Sequence, residues 1–460
     1  MPSRERISSV DTAWLRMDRP TNLMQIVGIM LFDGELDFER LRLAVEQRIL
    51  AHRRFIQCVV ADGTGYCWQD DPDFDLGNHL RRVVRRGRLG KPGLQRFVAD
   101  LVTRPLDPRR PLWEMLVIEN VAGTDARDGG GLAVITKVHH AAVDGVTGAN
   151  LMSQLCSTDP DAPAPEPVEA PGGAGPLTIA ARGLARYATR PINLATRVLP
   201  DTVNTVVDTA RRALSGQAMA SPFNAPQTAF NAKITRRRNV SYARLDLDDV
   251  KLVKNHFGVK VNDVVMALVA GVLRQYLLER DELPDASLVA MVPVSVHGRS
   301  DRPGRNKVSG MFTSLHTDIA DPGNRLRAIA EGSVVAKEHS SAIPASLLQD
   351  WSQFAAPAVF GAAMRVYASS RLTEARPVHN LVVSNVPGPQ EPLYFLGAEV
   401  TAMYPLGPVF HGSGLNITVM SLAGQLDVGL ISCPDLLPDL WDMADDFAVG
   451  MAELVAATRA

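Results

Sequence analysis

The run His139-His140-Ala141-Ala142-Val143-Asp144-Gly145 holds the densest chemistry in the chain. It follows an apolar strand-like stretch, residues 132–138, and precedes a helix-like one, residues 146–155. Chain reversal at a strand end places side chains at a domain edge, where reactive groups commonly sit. A neutral imidazole there can take the proton of a hydroxyl as that oxygen attacks a carbonyl. Asp144 can orient the ring or brace the turn, and Gly145 supplies backbone freedom. The same residues also fit two structural histidines with Asp144 as a helix N-cap. They fit a metal site less well, since adjacent histidines diverge and no third ligand is near in sequence.

No nucleophile motif competes with that histidine pair. The sequence contains no GxSxG elbow, no GxxxxGK[ST] and no GxGxxG at a strand-helix junction. Covalent serine chemistry and nucleotide chemistry are disfavoured, which leaves direct transfer between two bound substrates.

The elements that must position these residues form a soluble, globular pattern. The 460 residues are 46% apolar and 21% charged, enough for two domains. With 48 basic and 50 acidic side chains there is no net field to gather a polyanion, so nucleic acid is not an expected partner. Cys58, Cys67, Cys156 and Cys433 lack CxxC spacing, which argues against a zinc site or disulfide framework and for a reducing compartment. The first 14 residues lack the apolar core of a signal peptide, and the longest apolar run, 264–273, is short of the roughly 18–20 residues of a membrane span. A cytoplasmic protein is expected.

Residues 157–176, rich in Pro, Ala, Gly and acidic side chains, read as a flexible linker. Before it, strand-like runs at 25–32, 113–119 and 132–138 alternate with helix-like runs at 37–53 and 93–103. After it, strands are expected at 240–245, 287–295, 380–384 and 415–421, with one helix running toward His256 and another from Asn262 through Leu278. In 177–215, Arg182, Arg186 and Arg190 share one helical face opposite Leu177, Leu184 and several alanines. Such a helix either lies in a lipid interface or packs on the protein with a solvated arginine face.

Several motifs together resemble the bacterial wax ester synthase/diacylglycerol acyltransferase family, within the chloramphenicol acetyltransferase-like and condensation-domain superfamily. The histidine run matches its HHxxxDG motif. Pro111-Leu112-Trp113-Glu114 is similar to its PLW segment, and Asn262-Asp263 to its ND motif. Ser384-Asn385-Val386-Pro387-Gly388-Pro389 and Leu415-Asn416-Ile417-Thr418 resemble its C-terminal signatures. The likeness extends over nearly the whole chain, with two departures. Met24-Gln25 stands where the family often has Met-His, and His411-Gly412-Ser413-Gly414 is unusual before the last signature. His411 reads as a solvated or structural loop residue, with a pocket role as the minority alternative.

The resemblance implies an α/β fold of two chloramphenicol acetyltransferase-like lobes, each a mixed sheet flanked by helices, with an active-site tunnel between them. The divisions are an N-terminal lobe at 1–156, the linker at 157–176, a helical connector at 177–215 and a C-terminal lobe at 216–460. It implies acyl-CoA-dependent O-acylation of diacylglycerol or a long-chain fatty alcohol, with no cofactor and acyl-CoA as co-substrate. His140 is then the general base, without an acyl-enzyme. Asp144 holds the loop through a buried ion pair, and His139 and Gly145 support the turn. Pro111, Leu112 and Trp113 pack near the channel, with the indole available for acyl contact. Asn262 and Asp263 bind substrate or start a helix. Ser384 and Asn385 line the substrate channel or are structural, Pro387 and Gly388 shape a loop at the lobe interface, and Asn416 or a nearby backbone N–H is a candidate oxyanion donor. Peripheral contact with a membrane or lipid droplet is a further expectation, and oligomeric state is left open. The alternatives are a carrier-protein-dependent condensation-type acyltransferase and a catalytically silent lipid-binding protein.

Overall fold

Strand β7 (Gly131–His139) is buried at every position. It must therefore lie inside a sheet covered on both sides. The computed structural model describes residues 4–34, 36–50, 52–62, 65–84, 86–122, 131–143, 155–162, 225–295, 308–342 and 377–459. Asp144, Gly145, linker residues 163–176 and the connector 177–215 lie outside these.

β7 pairs antiparallel with β2 (Gln25–Asp33) and β6 (Trp113–Val121). Beyond β6 lies β5 (Leu80–Val83), and beyond β2 lie β13 (Ala398–Leu406) and β12 (Tyr394–Phe395), giving the order β12-β13-β2-β7-β6-β5. The second six-stranded sheet runs β10 (Val308–Ser314), β9 (Val289–Ser295), β11 (Leu381–Val386), β14 (Leu415–Leu422), β15 (Gln425–Ser432) and β8 (Asn239–Asp246). Within it β11 is parallel to both neighbours and the other pairings are antiparallel. A small third sheet joins β1 (Arg4–Arg6), β4 (Tyr66–Asp70) and β3 (Gln57–Ala61). The mixed α/β class agrees with the sequence expectation.

Helices cover these sheets. α1 (Ser9–Met17) starts on Ser8, whose Oγ accepts the Asp11 N–H and donates to the Asp11 carboxylate. α2 (Phe38–Arg48) ends five residues before the expected position 53, and Arg53–Ile56 form a separate 3₁₀ turn. α3 (Lys91–Leu101) opens with Pro92 in its first turn. α4 (Leu247–Phe257) is capped by Asp246 and stopped by left-handed Gly258. α6 (Pro322–Ala342) and α7 (Leu440–Ala456) flank α5 (Val261–Leu278), the described helix long and apolar enough to cross a membrane. Its side chains fill the core of the second sheet, which accounts for an apolar surface all round.

The two large sheets meet along β13, which comes from the C-terminal half yet extends the N-terminal sheet. Tyr404 of β13 stacks on Tyr242 of β8 at 4.3 Å between ring centres. The Met403 N–H donates to Asp427 Oδ2 at 2.7 Å. Asp427 is fully buried opposite Arg244, and burial pushes its carboxyl up to about 7. At Gly429 of β15 an added Cβ would lie 2.0 Å from the Pro405 carbonyl oxygen. Gly429→Ala is expected to lower stability by about 1–3 kcal/mol through overpacking, read as a drop in urea midpoint. An unchanged midpoint would mean that the seam is not close-packed at this point.

Candidate active site

Main-chain bonds fix the histidine turn. His139 pairs with Gln25 in the β2–β7 register, and its N–H donates to the Leu112 carbonyl at 3.0 Å. The next N–H, of His140, donates to Met24 O at 2.8 Å, and the Ala142 N–H closes the turn onto His139 O at 2.8 Å. The two imidazoles therefore enter different surroundings. His140 is half-buried and its ring stacks on Trp14 of α1, 4.2 Å between centres and 18° between planes. His139 is 2% exposed.

Electrostatics separates the pair further. His139 Nδ1 accepts the Ala141 N–H at 3.0 Å, so the neutral ring carries its proton on Nε2, which faces Asp18 Oδ2 at 3.7 Å. Burial, with His140 alongside, brings His139 down to about 3. Burial raises the Asp18 carboxyl, opposed by the Met24 N–H that Asp18 Oδ1 accepts at 2.8 Å. His139 is thus a neutral structural group at physiological pH.

On the face of β7 shared with His139 lies Lys137, a buried lysine in an otherwise apolar strand. Its ammonium pairs with Glu114 and donates to Arg104 O at 2.8 Å. Burial lowers its pKa and the Glu114 carboxylate opposes that shift. Gln25 Nε2 reaches the same carbonyl at 3.4 Å, while its Oε1 has no hydrogen-bond partner. Gln25 lines a cavity of about 20 Å³ with Leu23, Val27, Arg238, Leu406 and Val409. That volume is about enough for one water molecule.

The remaining expected residues divide between packing and junctions. Trp113 is 3% exposed; its indole N–H donates to Phe55 O at 2.8 Å, and His79 stacks on its ring. The indole packs beneath the histidine strand. Leu112 acts through its carbonyl on His139, and Pro111 O accepts the Trp113 N–H. Asp263 caps α5 by accepting the Lys260 N–H at 3.0 Å. Asn262 Oδ1 receives the Asn385 amide at 3.4 Å, so the ND and SNVPGP segments meet. Ser384 pairs with Thr418 on β14, and Val386 shares one apolar cluster with Ala141, Ala142 and Val143. Pro387 is exposed, and the Gly388 N–H donates to Ser421 Oγ at 3.1 Å. A Cβ at Gly388 would lie 1.9 Å from the Ser421 carbonyl oxygen, so only glycine fits there.

Asn416 departs from the oxyanion reading. Its Nδ2 donates to Pro408 O at 3.2 Å, its Oδ1 accepts the Thr418 hydroxyl, and it is 3% exposed, which makes it a brace for the 407–409 loop. Sequence reasoning missed Trp14, Asp18 and Lys137. A Ser8-to-Asp11 capping pattern and a lone lysine in an apolar run were the available signals. Among the described residues no three His, Cys, Asp or Glu side chains converge as a metal site.

Residues 7–265 match the wax ester synthase/diacylglycerol acyltransferase catalytic domain, and residues 305–455 match the C-terminal domain of that family. A Mycobacterium tuberculosis H37Rv protein provisionally named a diacylglycerol O-acyltransferase is 48% identical over 459 residues, covering 98% of this chain and 90% of its own length. The structure of the Marinobacter aquaeolei VT8 wax ester synthase/diacylglycerol acyltransferase is similar at a TM-score of 0.70 and 28% identity, over 99% of this chain and 100% of that one. The first condensation domain of the calcium-dependent antibiotic synthetase shares the fold at a TM-score of 0.58 and 17% identity, over 99% and 97% of the two chains.

The buried histidine has a measurable signature. An unfolded imidazole gains its proton near the ordinary value of 6.5, whereas folded His139 does so only at about 3. Its contribution to stability is therefore complete above pH 6.5 and declines as pH falls toward 3. In His139→Asn, which retains an acceptor for the Ala141 N–H, the urea midpoint should fall less steeply between pH 7 and 5 than in the wild type. Parallel curves would show that His139 is not held neutral.

Proposed function

The chain belongs to the bacterial wax ester synthase/diacylglycerol acyltransferase family, and from that premise we propose that His140 is the general base of its acyl transfer. The enzyme is an acyl-CoA-dependent O-acyltransferase. It joins a long-chain acyl group to diacylglycerol, giving triacylglycerol, or to a long-chain alcohol, giving wax ester.

The observation that carries the assignment is the unequal burial of the two histidines. His139 is enclosed, neutral and bonded to its own turn, whereas His140 is half-buried at the end of the strand. In this reading the imidazole of His140 takes the acceptor hydroxyl proton while that oxygen attacks the thioester carbonyl. The tetrahedral intermediate collapses with loss of the C–S bond, and the imidazolium returns the proton to the departing CoA thiolate. Ester, CoA and neutral His140 result, with no acyl-enzyme and no cofactor.

The supporting roles follow in the same reading. Asp144 and Gly145, outside the described residues, keep the supporting roles that the family motif implies, and the junction of Asn262 with Asn385 ties the ND and SNVPGP segments together. Ser384, Pro387 and Gly388 shape the adjoining loop, while Pro111, Leu112 and Trp113 support the strand. The linker 157–176 and connector 177–215 join the lobes 1–156 and 216–460. The basic amphipathic face of 177–215 meets the lipid surface that supplies the acceptor.

With labelled palmitoyl-CoA and either dioleoylglycerol or hexadecanol, the wild type should form ester and His140→Ala should form less than about a hundredth as much. Full turnover by a folded His140→Ala protein would refute the base assignment. Activity only with a carrier-bound acyl group would favour the condensation-type alternative. Flotation with anionic vesicles, weakened by salt, tests the lipid-surface role; protein left at the bottom of the gradient at low salt would remove it.

A further inference from the structure

We propose that His411 and Arg238, both from the C-terminal half, are positioning residues that clasp the loop behind the histidine turn. This rests on His140 as the base. The loop is residues 18–24, between α1 and β2. On its inner side it holds both histidines, since Met24 O accepts the His140 N–H and Asp18 faces His139 Nε2. On its outer side Thr21 is gripped from a distant part of the chain. His411 Nε2 lies 3.2 Å from Thr21 Oγ1, and Arg238 donates to Thr21 O at 2.6 Å.

Both clasping groups are themselves anchored. Phe410 and Ser413 exchange main-chain bonds of 3.0 Å around Gly412, whose φ of +81° favours glycine. The Gly412 N–H donates to Ala232 O, and Gly412 O accepts the amide of Asn231, a fully enclosed side chain that also bonds His379 O and Asn380 O. The loop bearing His411 is therefore tied to the second sheet. Arg238 is fixed by bonds to the carbonyls of Thr235 and Arg237. The path from the second sheet to the catalytic turn runs through Thr21, the Arg19–Asn22 reversal and Met24 O.

Its purpose is alignment across the lobes. The base follows a strand of the first sheet, and the clasp ties its turn to loops anchored on the second. A shift of loop 18–24 moves the His140 backbone relative to bound substrate, and small misplacements of reacting groups carry large rate costs. Loss of the clasp therefore lowers kcat and leaves substrate affinity nearly intact.

The test compares His411→Ala, His411→Gln, Thr21→Val, the His411→Ala/Thr21→Val double variant and His140→Ala, with palmitoyl-CoA and hexadecanol. His411→Ala and Thr21→Val should each reduce kcat about tenfold with KM for either substrate within about twofold. The double variant should be no slower than either single one, because both break the same contact. His411→Gln, whose amide reaches where Nε2 lies, should recover most of kcat. Normal kcat in His411→Ala beside an inactive His140→Ala would overturn the clasp alone. So would additive losses, or equal losses in the Gln and Ala variants, which a packing role would produce. Turnover by His140→Ala would instead remove the base on which the clasp is premised.

Discussion

The main-chain ladders on the two edges of β2 are the constraint on which this molecule depends. One edge pairs with β7, whose last residue is His139, and the other with β13 from the C-terminal half. β2 thus sets the register of the histidine turn and the docking of the second sheet at once. The bonds from Met24 O and Leu112 O continue that frame past the strand end. The turn is held by backbone groups, so its geometry tolerates side-chain change nearby better than displacement of a strand.

Burial assigns different work to similar groups around this frame. Two histidines share a turn, yet enclosure makes one an internal hydrogen-bond acceptor and leaves the other half-exposed. Lys137 is tolerated inside because Glu114 and the carbonyls at the end of α3 receive its ammonium. Asp427 at the seam is pushed toward its neutral form while Arg244 and the Met403 N–H oppose that shift. Lys137 and Asp427 both sit where one element is tied to another.

Much of the fold was legible because the signals were local. The apolar run at 132–138 and the β-branched runs at 415–421 became β7 and β14, and the helix expected to run toward His256 is α4, capped by Asp246. The PLW and ND segments were legible as motifs, but their work was not. Trp113 is enclosed by Phe55 and His79, partners that no spacing announces. Asn416 looked like a donor awaiting substrate because its partner, Pro408 O, depends on how the 407–409 loop folds back. β13 was not among the expected strands, and its place in the N-terminal sheet is a pairing across more than 360 positions. His411 was read as a loop residue for the same reason, since its contact at Thr21 is 390 residues away.

That long-range pairing also orders events on the ribosome. β2, β7 and β6 are complete once residue 139 has emerged, but β13 does not begin until residue 398. At roughly 5–20 residues per second, β2 waits on the order of tens of seconds with one edge unpaired. An open edge of apolar strand invites pairing with other chains. The nascent N-terminal half is therefore a natural client for chaperones that shield exposed strands, and a stop in translation before residue 406 leaves an aggregation-prone product instead of a smaller working enzyme.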